Sequence, residues 1–98
     1  LHNIYNSVGR NQLHRFFFFF FRELIRSVTE EAAKMGSCQV SEAYIAFLID
    51  FYTEGIAGSM TREISTPSHY RKEDLPDYIF TTFRGILHSL KEADGKRL

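Results

Sequence analysis

Apolar residues Leu1, Ile4, Tyr5 and Val8 recur at the i, i+3, i+4, i+7 spacing of one helical face, so the chain opens on the tail of a helix. Gly9 interrupts it. A second pattern predicts a helix from about Asn11 to Met35, free of Gly and Pro, ending at Gly36 in a left-handed glycine cap. Inside it stand six consecutive phenylalanines, Phe16 to Phe21, between Arg15 and Arg22. A continuous apolar run has no period of its own and suits a buried strand as well as a helix. The flanks decide for helix, because Leu13, Leu24, Ile25 and Val28 keep a 3.6-residue phase and Glu30 to Lys34 are good helix formers.

Ser41 predicts the start of the next helix: it is a natural N-cap, and Val40 and Ile45 flank it as a hydrophobic staple. From there to about Ile64 the residues Tyr44, Phe47, Leu48, Phe51, Tyr52, Ile56 and Met60 form an apolar stripe wide enough to face two neighbours, with Gly55, Gly58 and Ser59 inside it. Ser65 to Ser68 read as a loop around Pro67. Asp74, with Asp77 three residues later, resembles a variant capping box for a last helix, and Pro76 is tolerated in that first turn. The last helix carries Leu75, Tyr78, Ile79, Thr82, Phe83, Ile86, Leu87 and Leu90 as a near-heptad stripe to about Ala93, and stops at Gly95. Lys96, Arg97 and Leu98 read as a frayed terminus. The pattern predicts a single all-α domain over 1–98, an antiparallel bundle of about four helices.

Ninety-eight residues make a small core. A chain of this size buries only about 60–65% of its unfolded surface, so pairing with a second copy is expected. Twelve basic and twelve acidic residues cancel and no run of cations tracks a phosphate backbone, so nucleic-acid binding by this segment itself is not expected. Cys38 is the single cysteine, which excludes an internal disulfide and a cysteine-based zinc site within one chain and favours a reducing, cytoplasmic setting. No stretch has the roughly 18–20 apolar residues of a membrane span. The first residue is Leu1 rather than Met, so a segment of a longer protein is expected.

The middle helix brings a more specific pattern. The run Tyr44-Ile-Ala-Phe-Leu-Ile-Asp-Phe-Tyr-Thr-Glu-Gly55-Ile-Ala-Gly58, the later Lys72-Glu-Asp-Leu-Pro and the Phe83-Arg-Gly-Ile-Leu87 stretch are similar to the C-terminal region of TetR-family transcriptional regulators. Within that family the resemblance is closest to regulators of dihydroxyacetone kinase operons, and it covers about Leu1 to Ala93. It implies an effector-binding and dimerising domain, with DNA read by a helix-turn-helix domain outside this chain. The helices Ser41 to Ile64 and Asp74 to Ala93 would pair with their copies as a four-helix interface, and Asn11 to Met35 would pack behind them. It implies no enzyme activity and no cofactor.

Candidate sites have two readings each. The aromatic set Phe17, Phe20, Phe21, Tyr44, Phe47, Phe51 and Tyr52 either lines an apolar effector cavity or fills the core. Gly55, Gly58 and Ser59 permit close helix approach, either to a second copy or to a neighbour in the same chain, and Phe83, Ile86, Leu87 and Leu90 complete the expected dimer surface. His2, His14, His69 and His88 stand singly, without a metal-binding spacing. Asp50 and Glu54 lie one helical turn apart but lack a nucleophile or phosphate loop, so exposed or interfacial charge is the expected role. A stand-alone helical interaction module without an effector is the alternative function.

Overall fold

The computed structural model describes residues 9–65, 71–96 and 98. The expected helix tail at Leu1–Val8 and most of the Pro67 loop lie outside the described residues. The described chain forms α1 (Arg10–Met35), α2 (Glu42–Ser65), a 3₁₀ turn (Lys72–Asp74) and α3 (Leu75–Ala93). Among the described residues there are three α-helices and no strand, against the four helices expected.

The phenylalanine run is helical, and the helix sorts its rings by direction. Phe17, Phe18 and Phe21 are half-buried, whereas Phe16, Phe19 and Phe20 are exposed. Helical phase then carries the inward face of α1 through Ile25, Thr29 and Ala33, all buried at four-residue spacing. These meet Leu48 and Ile56 of α2, with Ile86 and Leu90 of α3 closing the same cluster. Each fully buried Ile or Leu contributes about 1.5–3 kcal/mol relative to an exposed position, so this strip holds the three helices together.

α1 and α2 run in opposite directions. Arg22 reaches Asp50 at 3.4 Å and His14 reaches Glu54 at 3.2 Å, so positions rise on one helix as they fall on the other. Three threonines of these helices are buried. Thr61 Oγ1 donates to the Ala57 carbonyl at 2.8 Å, whereas the buried hydroxyls of Thr29 and Thr53 have no hydrogen-bond partner among the described residues.

The helix ends show where local rules held. Ser41 Oγ accepts the Tyr44 N–H at 3.0 Å, the expected N-cap bond, and both Val40 and Ile45 pack on the core. At the end of α1 the left-handed residue is Ser37 (φ 50°), not Gly36, which stays right-handed at φ −84°. The cause is the hydrogen-bond pattern: Ser37 N–H donates to Lys34 O at 3.2 Å and Cys38 N–H to Ala33 O at 3.0 Å. That is a Schellman turn with its left-handed position one residue later than expected.

Asp74 makes no side-chain cap bond, because the 3₁₀ turn runs directly into α3 and leaves Asp74 itself in right-handed geometry. The described residues of the terminus are tied down rather than frayed. Gly95, at φ +78°, donates its N–H to Gln39 O at 3.1 Å, and Ser41 N–H donates to Leu98 O at 2.8 Å. Gln39 N–H also donates to Asp94 Oδ1 at 2.5 Å. These bonds tie the end of α3 to the α1–α2 connection, so α3 lies antiparallel to α2.

Candidate functional site

From its tethered C-terminal end, α3 packs on the core through Leu90, Ile86, Phe83 and Ile79. An apolar groove of about 870 Å³ opens between α2 and α3. One wall is the α2 row Phe47, Phe51, Gly55 and Ser59, four residues apart and so on one helical face. The other is the first half of α3, with Leu75, Tyr78, Ile79 and Thr82.

Rings set the shape of the α2 wall. Phe47 stacks on Phe51 with centroids 5.8 Å apart, and Phe51 meets Tyr52 edge-on at 5.4 Å. Phe47 and Phe51 are nevertheless 58% and 60% exposed, and Tyr78 opposite is 48% exposed. Large aromatic rings left this open on two facing walls form an apolar surface with room for a further body. Gly55 adds to the opening, since a Cβ placed there would meet nothing within 4 Å.

The groove's charged residues are Asp50 and Glu54. Each points a carboxylate back across α2, to Arg22 and His14 of α1, and both pairs are largely exposed. Exposed pairs of this kind contribute well under 1 kcal/mol, so they orient α2 more than they hold it. Among the described residues no group of three His, Cys, Asp or Glu side chains is placed to hold a metal ion. Among the described residues no helix is long and apolar enough to cross a membrane.

The structure brings together only part of the expected ligand set. Phe47, Phe51 and Tyr52 line the groove, but Phe17, Phe20 and Phe21 belong to α1 and Tyr44 lies beyond its wall. Phe21 and Tyr44 pack on the core, and Phe20 is exposed on the outer side of α1. The expected dimer residues divide likewise. Gly55 and Ser59 line the groove, Gly58 is half-exposed with open space around it, and Leu87 is 45% exposed. Ile86 and Leu90 are 0% and 1% exposed and Phe83 packs beside them, so these side chains already fill the chain's own core.

Two residues carry the site without having been singled out for it. Tyr78 supplies an aromatic ring on the α3 wall, and its place in the α3 stripe was the available signal. Gly85 is the other. A Cβ there would stand 2.8 Å from the Tyr52 hydroxyl, so a larger residue would make the end of that side chain or α3 shift.

Residues 1–85 match the model of a family described as the transcriptional regulator C-terminal region, of TetR type. No curated protein and no solved structure matches the chain.

Proposed function

The chain belongs to the TetR-type transcriptional regulator C-terminal region family, and from that premise we propose that it dimerises through α2 and α3 and binds a small effector along the same face. The open α2–α3 face carries the reading: Phe47, Phe51 and Tyr78 are exposed around a groove whose rim has glycine where a larger side chain would block approach. A second copy set on this face would cover those rings, and a stable pair needs roughly 800 Å² from each partner.

The groove also suits an effector. Pockets for small molecules run about 300–1,000 Å³ with mostly apolar walls and few polar groups, and this one has aromatic walls with Ser59 and Thr82 as neutral polar contacts. We place the chain nearest the dihydroxyacetone kinase operon regulators by its motifs, in a cytoplasmic protein whose DNA-reading part lies outside this segment. Its apolar lining favours a flat hydrophobic effector over a small polyhydroxylated one. Such a ligand alters DNA affinity elsewhere in the protein only through unequal affinity for two dimer geometries.

Gly55→Leu tests the pairing while leaving the fold intact, because the folded chain has free space at that Cβ and leucine favours helix by up to about 1 kcal/mol. In sedimentation equilibrium the wild type should form a dimer and Gly55→Leu a monomer that keeps its helical circular dichroism, with a Tm that no longer rises with concentration. A wild type that stays monomeric across the concentration range, or a variant that still pairs, refutes the placement. For the effector arm, a ligand present at about 100 times its Kd stabilises by about 2.7 kcal/mol. No rise in Tm across a broad set of hydrophobic metabolites would leave a helical interaction module as the function.

A further inference from the structure

α3 is held at its end and along its inner face. Its C-terminal end is hydrogen-bonded to the α1–α2 connection through Gly95 and Asp94, Ile86 and Leu90 are buried with Ile79 and Phe83 packed on the same cluster, and Leu75, Tyr78 and Thr82 of its first half line the groove. Beside that groove, Tyr52 of α2 reaches across to Gly85 of α3. We infer that Tyr52 and Gly85 form the fulcrum that sets how far α2 and α3 splay, and so the width of the groove. The inference rests on the reading above that the groove receives a second copy, and it names the residues that set the geometry of that pairing.

The argument is steric. Tyr52 is half-buried, packs on the core cluster and meets Phe51 edge-on, so its ring has neighbours on several sides. Its hydroxyl lies 2.8 Å from where a Cβ at position 85 would be, closer than real Cβ contacts come, while the ring carbon bearing it is 3.6 Å away, an ordinary contact. An added methyl therefore collides with one oxygen atom and no other part of the ring. Relief has two routes: α3 moves outward, or the ring swings toward the groove it lines. Both change the groove. Glycine in a helix interior is otherwise unfavourable, and alanine there would ordinarily raise the melting temperature of a domain this size by about 4–8 °C.

A double-mutant cycle separates this from a simple packing defect. Gly85→Ala should lower Tm despite its better helix propensity and weaken self-association at least tenfold. Tyr52→Phe removes the colliding oxygen, so Gly85→Ala made in that background should raise Tm and restore self-association to the level of Tyr52→Phe alone. Amide chemical-shift changes in Gly85→Ala should reach Tyr78 and Leu75 on the far half of the groove wall. Gly85→Ala as stable as wild type with unchanged association, a cycle in which Tyr52→Phe gives no rescue, or shift changes confined to the neighbours of position 85 would each overturn the inference. If Gly85→Ala does not fold, the Tyr52→Phe background decides by the same rescue criterion. A monomeric wild type would remove the pairing reading, whereas the stability cycle and the shift map would still decide the fulcrum.

Discussion

The two sides of α2 differ in how completely they are closed. Toward α1 the helix buries Leu48 in the cluster it shares with Ile25, and adds an ion pair from Asp50 to Arg22 and a contact from Glu54 to His14. Toward the first half of α3 it leaves Phe47 and Phe51 more than half exposed over a groove of about 870 Å³. Phe21 and Tyr52 pack on the core, whereas Phe47 and Phe51 stay outside it. Area alone would favour burying these as well, since aromatic rings gain most from burial. Large aromatic rings left exposed beside a formed core make an unfinished apolar surface rather than a deficient core.

The largest expected effect separates the two sides directly. Ile25→Ala, at a residue with no exposure on the closed side, should cost about 2–5 kcal/mol in urea unfolding, whereas Phe51→Ala should change monomer stability by less than about 0.5 kcal/mol and act on self-association instead. Equal stability losses would mean that the open side is already packed in solution.

Thr53→Val sharpens the picture of the buried residues of α2. Its buried hydroxyl has no partner among the described residues, so an isosteric methyl should stabilise by about 1–2 kcal/mol, read as a shift of the urea midpoint at constant slope. A loss of stability would reveal a hydrogen bond formed there in solution. Smaller still is Ser37→Gly, at the left-handed residue joining α1 to α2, which should gain about 0.5–1 kcal/mol in the same assay because glycine carries no Cβ penalty at φ 50°. Smallest is Asp50→Asn, which breaks the exposed pair with Arg22 and should cost no more than about 0.5 kcal/mol, with salt dependence lost alongside it.

Much of the helical layout was legible before any coordinates. The three described helices begin and end within a residue of the expected positions, because Ser41, Gly36 and the Pro76 turn are local signals that act within a few residues of themselves. The Ser41 bond to Tyr44 formed as anticipated. Prediction failed where two local solutions competed. Either Gly36 or Ser37 could take the left-handed position, and the reach of Cys38 N–H back to Ala33 selected Ser37. The tail seemed free in sequence because its partners, Gln39 and Ser41, are more than fifty residues away.

The candidate site was legible by residue type and not by grouping. Aromatic residues that suit a cavity and small residues that suit close helix approach meet in one groove: Phe47 and Phe51 with Gly55 and Ser59. The phenylalanine run shows why. Six like residues in a row erase the periodic contrast from which direction is read, so only the helical phase imposed by Ile25, Thr29 and Ala33 turns Phe16, Phe19 and Phe20 outward.

By itself the sequence determined the helical class, the boundaries of the helices and the kinship with TetR-type regulators, all of which depend on periodicity, capping and residue order over short spans. Only the tertiary structure decided that Ile86 and Leu90 turn inward, that Phe47, Phe51 and Tyr78 stay open, and that Tyr52 finds its space over Gly85. A wide apolar stripe states that a helix has neighbours; which part of the stripe each neighbour covers depends on the angle between the helices, and that angle is a property of contacts far apart in the chain.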